Sequence, residues 1–385
     1  MTIYLDNAAT SHPKPEAVYR ASDLALRQTG ASPGRGGHQL GLAAGRLVFA
    51  AREAVASLFG IADTARIAFT GNATEAINQA LFGLLRPGDR VVTSSMEHNA
   101  VTRPLRALQE KGVQVVKVTA DGQGCIDPEA FLRACREGKT RLAVLSHCSN
   151  VTGALQPVAD IGPWCRREGI PFLLDAAQSA GLFDIQVEEL GIDLLAAPGH
   201  KGLMGPPGTG FLYVRPGLQL TPLVYGGTGG NSFSDQAPEA MPERFEAGTL
   251  NTPGLAGLTA AIAFLRQTGL EAIRAREEQL MARLIDGLRA VAGVELYGPL
   301  MAGLHGGALS FNLAGFDPAE IGFLLDRQYG IVSRTGLHCA PDAHRSIGTF
   351  PRGTIRVSPG FFTTVEDIDH LLHAVAALAA APINE

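Results

Sequence analysis

A lysine that acts as a nucleophile must be held away from water well enough to lose its proton, and the stretch 194–214, LLAAPGHKGLMGPPGTGFLYV, offers such a place. Lys201 follows an apolar run and His200, with Gly199 and Gly202 on either side leaving room for a bulky ligand close to the backbone. Desolvation at the end of a buried strand lowers the pKa of an amine and makes it available for Schiff-base chemistry. Taken alone, Lys201 reads more readily as a solvated loop lysine. The same stretch holds GPPGTG at 205–210, which looks like the opening of a phosphate-binding P-loop. Phe211 and Leu212 stand where such a loop needs Lys and Ser or Thr, and FLYV continues as a strand instead of a helix, so nucleotide hydrolysis is disfavoured.

Asp175 shifts the balance for Lys201. It ends the apolar run PFLLD and precedes AAQSAG, which puts a carboxylate at the C-terminal end of a parallel strand, the edge where α/β sheets bind ligands. Without Lys201 it would read as a helix cap. With it, Asp175 suits pyridoxal phosphate, whose pyridine nitrogen needs a carboxylate partner to stay protonated and act as an electron sink. FTGNATEAINQAL at 69–81 adds a strand, a turn and a helix start at Ala73 and Thr74, and helix N-termini bind phosphate through free N–H groups. SSMEHNAV sets His98 just after another strand, at the same sheet edge, where an imidazole can stack on a ring and relay protons. RTGLHCAP at 334–341 places Cys339 in a loop beside His338, with Arg334 and Arg345 nearby in sequence, and positive neighbours favour the nucleophilic thiolate. The other cysteines, Cys125, Cys135, Cys148 and Cys165, lie in or beside apolar patterns that suit packing.

The elements that must position these residues follow from the hydrophobic periodicity. From about 15 to 245, apolar runs alternate with helical patterns, the βαβ signature of a mostly parallel sheet covered on both faces. Strands are expected at 66–70, 90–93, 114–118, 142–147, 172–174, 194–196 and 210–214, and helices at 74–85, 101–109, 128–136 and 161–167. The segment 226–252, rich in Gly, Pro and Ser, reads as an exposed functional loop. Beyond it, helices at 254–266 and 270–291 lead into a smaller α+β module with strands at 308–312 and 354–357 and helices at 318–328 and 365–378.

A chain of 385 residues with 46% apolar and 18% charged residues suits a compact enzyme. Its net charge of −5 has no basic run to serve nucleic acid. The start has no basic region followed by an apolar stretch, and the apolar run 371–381 is too short to span a membrane, so a cytoplasmic protein is expected. Five cysteines without CxxC spacing suggest neither a disulfide framework nor a metal cage.

Together, TEAIN, MEHN, DAAQSAG, GHKG, RFEAGT and RTGLHC, in that order, resemble the class V aminotransferase family, in particular its cysteine desulfurase and selenocysteine lyase group. The resemblance runs from IYLDNAAT at Ile3 to the last helix. It implies a fold-type I pyridoxal-phosphate enzyme, a homodimer, with a large cofactor-binding domain at 15–250 and a small domain made of 1–14 and 251–385. Lys201 would carry pyridoxal 5'-phosphate as a Schiff base and shuttle protons, Asp175 would pair with the pyridine nitrogen, Gln178 would bond the phenolic oxygen, and His98 would stack on the ring. Ala73, Thr74 and His200 would hold the phosphate, with Thr228 supplied by the second subunit. Asn150 and Arg356 would receive the substrate carboxylate, and Cys339 would take sulfur from L-cysteine as a persulfide for a sulfur-acceptor protein. The same constellation would serve a selenocysteine lyase, a cysteine sulfinate desulfinase, or a non-catalytic cofactor-binding sensor or sulfur-transfer scaffold. Pro198 departs from the family pattern, in which many relatives carry a serine there.

Overall fold

The computed structural model describes residues 2–34, 37–229 and 233–380. The chain opens on β1 (Ile3–Tyr4) and the helices α1 (Glu16–Gln28) and α2 (Gln39–Phe59). Then β2 (Ile67–Thr70), α3 (Ala73–Leu84), β3 (Arg90–Ser94), α4 (Asn99–Glu110), β4 (Gln114–Val118), α5 (Pro128–Arg136), β5 (Thr140–Ser146), α6 (Val158–Arg167) and β6 (Phe172–Asp175) alternate. Strands β7 (Leu194–Pro198) and β8 (Gly210–Val214) complete a seven-stranded sheet in the order β2-β8-β7-β6-β5-β3-β4. The sheet is mostly parallel as expected, but β8 runs antiparallel to both β2 and β7. That reversal leaves the C-terminal ends of β2 and β7 on one edge.

Successive residues of the central strands enter opposite cores, as the two-residue strand period requires. Leu174, Leu145 and Phe211 pack with Val55, Phe59 and Trp164 on one face, while Leu173, Val144 and Leu212 pack with Ile77, Leu81 and Leu105 on the other. Burial on both faces is why β5, β6 and β7 read as continuous apolar runs. Each fully buried leucine stabilises the fold by about 1.5–3 kcal/mol.

The helices carry the signals that start them. Asn72 caps α3 by accepting from the Glu75 N–H at 2.9 Å, and Glu75 reaches back to the Gly71 N–H at 2.7 Å. Asp127 caps α5 ahead of Pro128, a residue preorganised for the first helical position. Arg52 of α2, buried, is clamped by Glu246 through bonds of 2.8 and 3.0 Å, and the same carboxylate accepts from the Phe69 N–H at 2.7 Å. This ties the start of β2 to the segment after β8.

The described part of the segment 226–252 has a short helical turn at Glu243–Phe245, and from its last residue the chain runs into α7 (Thr252–Thr268) and α8 (Leu270–Arg289). Next are β9 (Val294–Tyr297), β10 (Leu309–Leu313), α9 (Pro318–Tyr329), β11 (Ile331–Val332), β12 (Arg334–Gly336), α10 (Pro341–Ser346), β13 (Thr354–Val357) and α11 (Val365–Ala380). A second, antiparallel sheet has the order β12-β13-β10-β9, and β1 pairs in parallel with β11. Leu5, Phe311, Ile355 and Leu371 share its core. Residues 341–346 form α10, directly after the loop that carries Cys339. Among the described residues, no helix is long and apolar enough to cross a membrane.

Candidate active site

Four strand ends and one helix start meet around a cavity of about 520 Å³. Its wall includes Asn72, Ala73 and Thr74 after β2, His98 after β3, Ser146, Cys148 and Asn150 after β5, Asp175 and Gln178 after β6, and Pro198, His200 and Lys201 after β7. Eight of the residues expected from the sequence are therefore brought together. Gly210 shows why the approach of α3 is possible. A Cβ there would lie 2.7 Å from the backbone carbon of Asn72, so this glycine of GPPGTG admits the start of α3 rather than wrapping a nucleotide.

The helix start has donors to offer. Its cap bond goes to Glu75, and the first-turn N–H groups of Ala73 and Thr74 have no carbonyl four residues back within the helix. His200 adds a buried Nδ1 with no hydrogen-bond partner. Burial takes its pKa down to about 4, assisted by Lys201 and Lys14, so the ring is neutral. Lys14, which the sequence did not signal, sets its Nζ 3.2 Å from the His200 carbonyl and 3.0 Å from that of Ser11. Pro198 lines the cavity and brings neither an N–H nor a hydroxyl to it.

At the other end, Asp175 is buried and accepts from the Ala177 N–H at 2.9 Å. No helix follows it, so it is not a helix cap. Burial raises its pKa, opposed by the Ala177 bond, the charge of Lys201 and the Ser146 hydroxyl. Lys201 moves the other way, to about 8, through burial first, with Asp175 opposing and Arg356 and Arg334 assisting. His98 caps α4: its Nδ1 accepts from the Ala100 N–H at 3.0 Å, which leaves the proton on Nε2. Burial, with Lys201 and three arginines, takes His98 down to about 4. Gln178 donates to the Ala8 carbonyl at 3.0 Å.

Arg356, on β13, is almost fully buried beside the cavity. It donates to the Asn150 carbonyl at 2.9 Å and to Asp6 at 2.6 Å, and its Nε has no partner. Asn150 in turn donates to the His338 carbonyl at 2.6 Å. This chain of bonds anchors the loop that carries Cys339, whose own carbonyl accepts from the Asn99 N–H at 2.7 Å. The Cys339 side chain is exposed and outside the cavity wall.

Of the basic neighbours expected for Cys339, His338 is kept neutral by burial and Arg345 is paired with Asp342 at 2.6 Å. Thr228 lies in the segment after β8, outside the cavity of its own chain. Among the described residues, the non-glycine positions with positive φ are Met204, His338 and Cys339. Such backbone costs about 1–3 kcal/mol each and clusters at functional sites. Here it flanks the two candidate reactive residues, Lys201 and Cys339.

The residues fit pyridoxal 5'-phosphate: unpaired donors and an orphaned imidazole nitrogen at one end of the cavity, and a buried carboxylate beside a buried amine at the other. Glu97, Ser146, Lys14 and Asp6 also belong to this region and were not singled out from the sequence. Glu97 sits inside the MEHN motif, and a carboxylate between Met96 and His98 just past a buried strand is the signal by which it could have been found.

The class-V aminotransferase profile matches residues 3–371. A probable cysteine desulfurase of Methanothermobacter thermautotrophicus is 38% identical over 98% of this chain and 94% of its own. A cysteine desulfurase of Pectobacterium carotovorum is 35% identical over 96% and 91%. Among solved structures, the apo cysteine desulfurase of Thermococcus onnurineus superposes with a TM-score of 0.91 at 33% identity, covering 98% of this chain and 94% of the other. A cysteine desulfurase of Escherichia coli gives 0.87 at 31% identity, with 98% and 94% covered.

Proposed function

The chain belongs to the class-V aminotransferase family, and from that premise we propose that it is a pyridoxal 5'-phosphate-dependent cysteine desulfurase that converts L-cysteine to L-alanine and holds the sulfur on Cys339 as a persulfide. The observation that carries the reading is the shared cavity of Lys201, Asp175, His98 and the start of α3, with the Cys339 loop bonded to its rim through Asn150 and Asn99.

When bound, the cofactor supplies an electron sink for the amino acid substrate. Asp175 would balance the pyridine nitrogen, Gln178 would take the phenolic oxygen, and His98, neutral, would pack on the ring. Ala73, Thr74 and His200 would hold the phosphate, with Thr228 of a second copy closing that end. Lys201, whose amine burial makes easier to deprotonate, would accept and return the proton at the substrate Cα. Arg356 and Asn150 receive the substrate carboxylate, and the unpartnered Arg356 Nε is the donor left for it. The thiolate of Cys339 attacks the substrate sulfur. A sulfur–sulfur bond forms as the Cβ–sulfur bond breaks, its electron pair stays on Cβ, and a proton added there completes alanine.

The proposal includes a homodimer, supported by Phe49, Tyr225 and Phe233, large apolar residues left exposed. It includes a cytoplasmic location, supported by five free cysteines, and transfer to an acceptor protein, supported by the exposure of Cys339. It also assigns 15–250 to a cofactor-binding domain and 1–14 with 251–385 to a small domain, a division supported by the pairing of β1 with β11.

Incubation with L-cysteine, L-selenocysteine and cysteine sulfinate, with alanine quantified for each, tests the function. Alanine and trapped sulfur on the Cys339 peptide are expected from L-cysteine, and Cys339→Ala should abolish both while leaving the cofactor bound. Unchanged cysteine turnover in Cys339→Ala, or sulfur trapped only on another cysteine, overturns the role of Cys339.

A further inference from the structure

Glu97, at the end of the turn after β3, is fully buried, and the charge that acts on it most is that of Asp175. Its Oε1 accepts from the Ser94 hydroxyl at 2.5 Å, and the Ser146 N–H is shared between Oε2 at 3.0 Å and Oε1 at 3.2 Å. Its Oε2 lies 2.7 Å from the Ser146 hydroxyl. Ser146 ends β5, directly level with Asp175 at the end of β6, and its hydroxyl helps to lower the pKa of that carboxyl. One serine hydroxyl, in contact with Glu97, thus stands between two buried carboxyls.

That hydroxyl has one hydrogen. If both carboxyls were ionised, only one would receive it, and the other would face an oxygen lone pair in a place screened from water, beside a second negative charge. A proton on Glu97 Oε2 removes the conflict. Glu97 then donates to Ser146, Ser146 donates to Asp175, and the Ser94 hydroxyl and Ser146 N–H keep an acceptor in Glu97. The proton belongs on Glu97 because Lys201 favours charge on Asp175, whereas the charged group acting on Glu97 is Asp175 itself. Burial of Glu97 agrees with this, raising its pKa to about 7.

We propose that Glu97 is a positioning residue that retains a proton and, through the Ser146 hydroxyl, holds Asp175 ionised and oriented toward the cofactor's pyridine nitrogen. This rests on the role given to Asp175 under the proposed function. The fixed direction of the bonds gives the cavity floor one negative charge instead of two and matches it to a single protonated ring nitrogen.

Infrared difference spectroscopy of the purified holoenzyme at pH 6 tests the protonation directly. The wild type minus Glu97→Gln spectrum should contain the carbonyl stretch of a protonated carboxyl; Glu277, half-buried with its pKa raised to about 8 by desolvation, contributes equally to both proteins and cancels. Ser146→Ala should keep that band and move it to higher frequency, since its acceptor is gone. Glu97→Gln still offers an N–H to Ser146, so its cofactor affinity, visible absorption and turnover should stay close to wild type. Glu97→Met offers none, and its turnover should fall about tenfold, equivalent to about 1.4 kcal/mol in the barrier, with weaker cofactor binding. A difference spectrum without the carboxyl band overturns the proposal, as does Glu97→Gln as impaired as Glu97→Met. If instead Asp175→Asn keeps full activity while the band is present, the role of Asp175 fails and the shared proton stands. Should Glu97→Gln fail to fold, the band shift in Ser146→Ala still decides.

Discussion

The amine of Lys201, in protein stripped of cofactor, is expected to titrate near 8 instead of 10.5. Burial is the main cause; Arg356 and Arg334 act with it, while Asp175 and Asp6 act against it. At pH 7 a group titrating near 8 is about one tenth neutral, against roughly one part in three thousand for an ordinary lysine, an excess of about 300-fold in the reactive form. Because the neutral amine is the nucleophile, reactivity must rise as pH rises through 8. A pulse of an acylating reagent across a pH series, scaled to the labelling of unfolded protein and read by peptide mapping, measures the midpoint at this one side chain. Mapping is needed because Lys14 is also lowered to about 8 by burial. Asp175→Asn supplies the second arm. Asp175 is the strongest influence favouring the charged amine, so its removal should move the midpoint further down. A midpoint near 10, or one that Asp175→Asn leaves unchanged, would refute the account of Lys201 as a desolvated amine balanced by that carboxylate.

Two other substitutions have outcomes set by the contacts of Asp175 and Arg52. Asp175→Asn in the holoenzyme keeps the shape but not the charge against the pyridine nitrogen, and turnover with L-cysteine should fall on the order of 100-fold; near-normal rates measured at saturating cofactor would contradict its role. Glu246→Ala leaves Arg52 buried and unpaired, a change that costs about 3–5 kcal/mol; a denaturant midpoint indistinguishable from wild type would show the pair to be unimportant.

How much of this was legible depended on where the information lay. Strands β5, β6 and β7 are buried on both faces, so their sequences are apolar runs that periodicity finds within a residue or two. Strand β9 was not found because VELY lies at the edge of its sheet and is only partly buried. Helices α1 and α2 leave a weaker trace, since exposed Leu24, Leu26, Leu40 and Leu42 blur their apolar faces. The cofactor side of the site was readable because Lys201, Asp175 and His98 each come just after a strand, and parallel strands deliver their C-terminal ends to one sheet edge. The Glu97–Ser146–Asp175 contacts were not, because Glu97 and Ser146 stand 49 residues apart in the chain and only the fold sets their strand ends level. Arg345 shows the opposite error: closeness in sequence to Cys339 suggested an influence, and its guanidinium is engaged by Asp342.

The bonds around Arg356, at the proposed substrate end of the site, join the two ends of the chain: Asp6 to Arg356, and the Ala8 N–H to the Ser358 hydroxyl at 2.9 Å. The cavity wall between residues 72 and 201, by contrast, is built from one stretch of strands and helices. During synthesis, at about 5–20 residues per second, that stretch leaves the ribosome well before β13 exists. Contacts of such long sequence separation form late, because loop-closure entropy opposes them until the rest is in place. On this argument the proposed cofactor cradle forms before the proposed substrate clamp, and Asp6 waits, through nearly the whole of translation, for the arginine it will pair with.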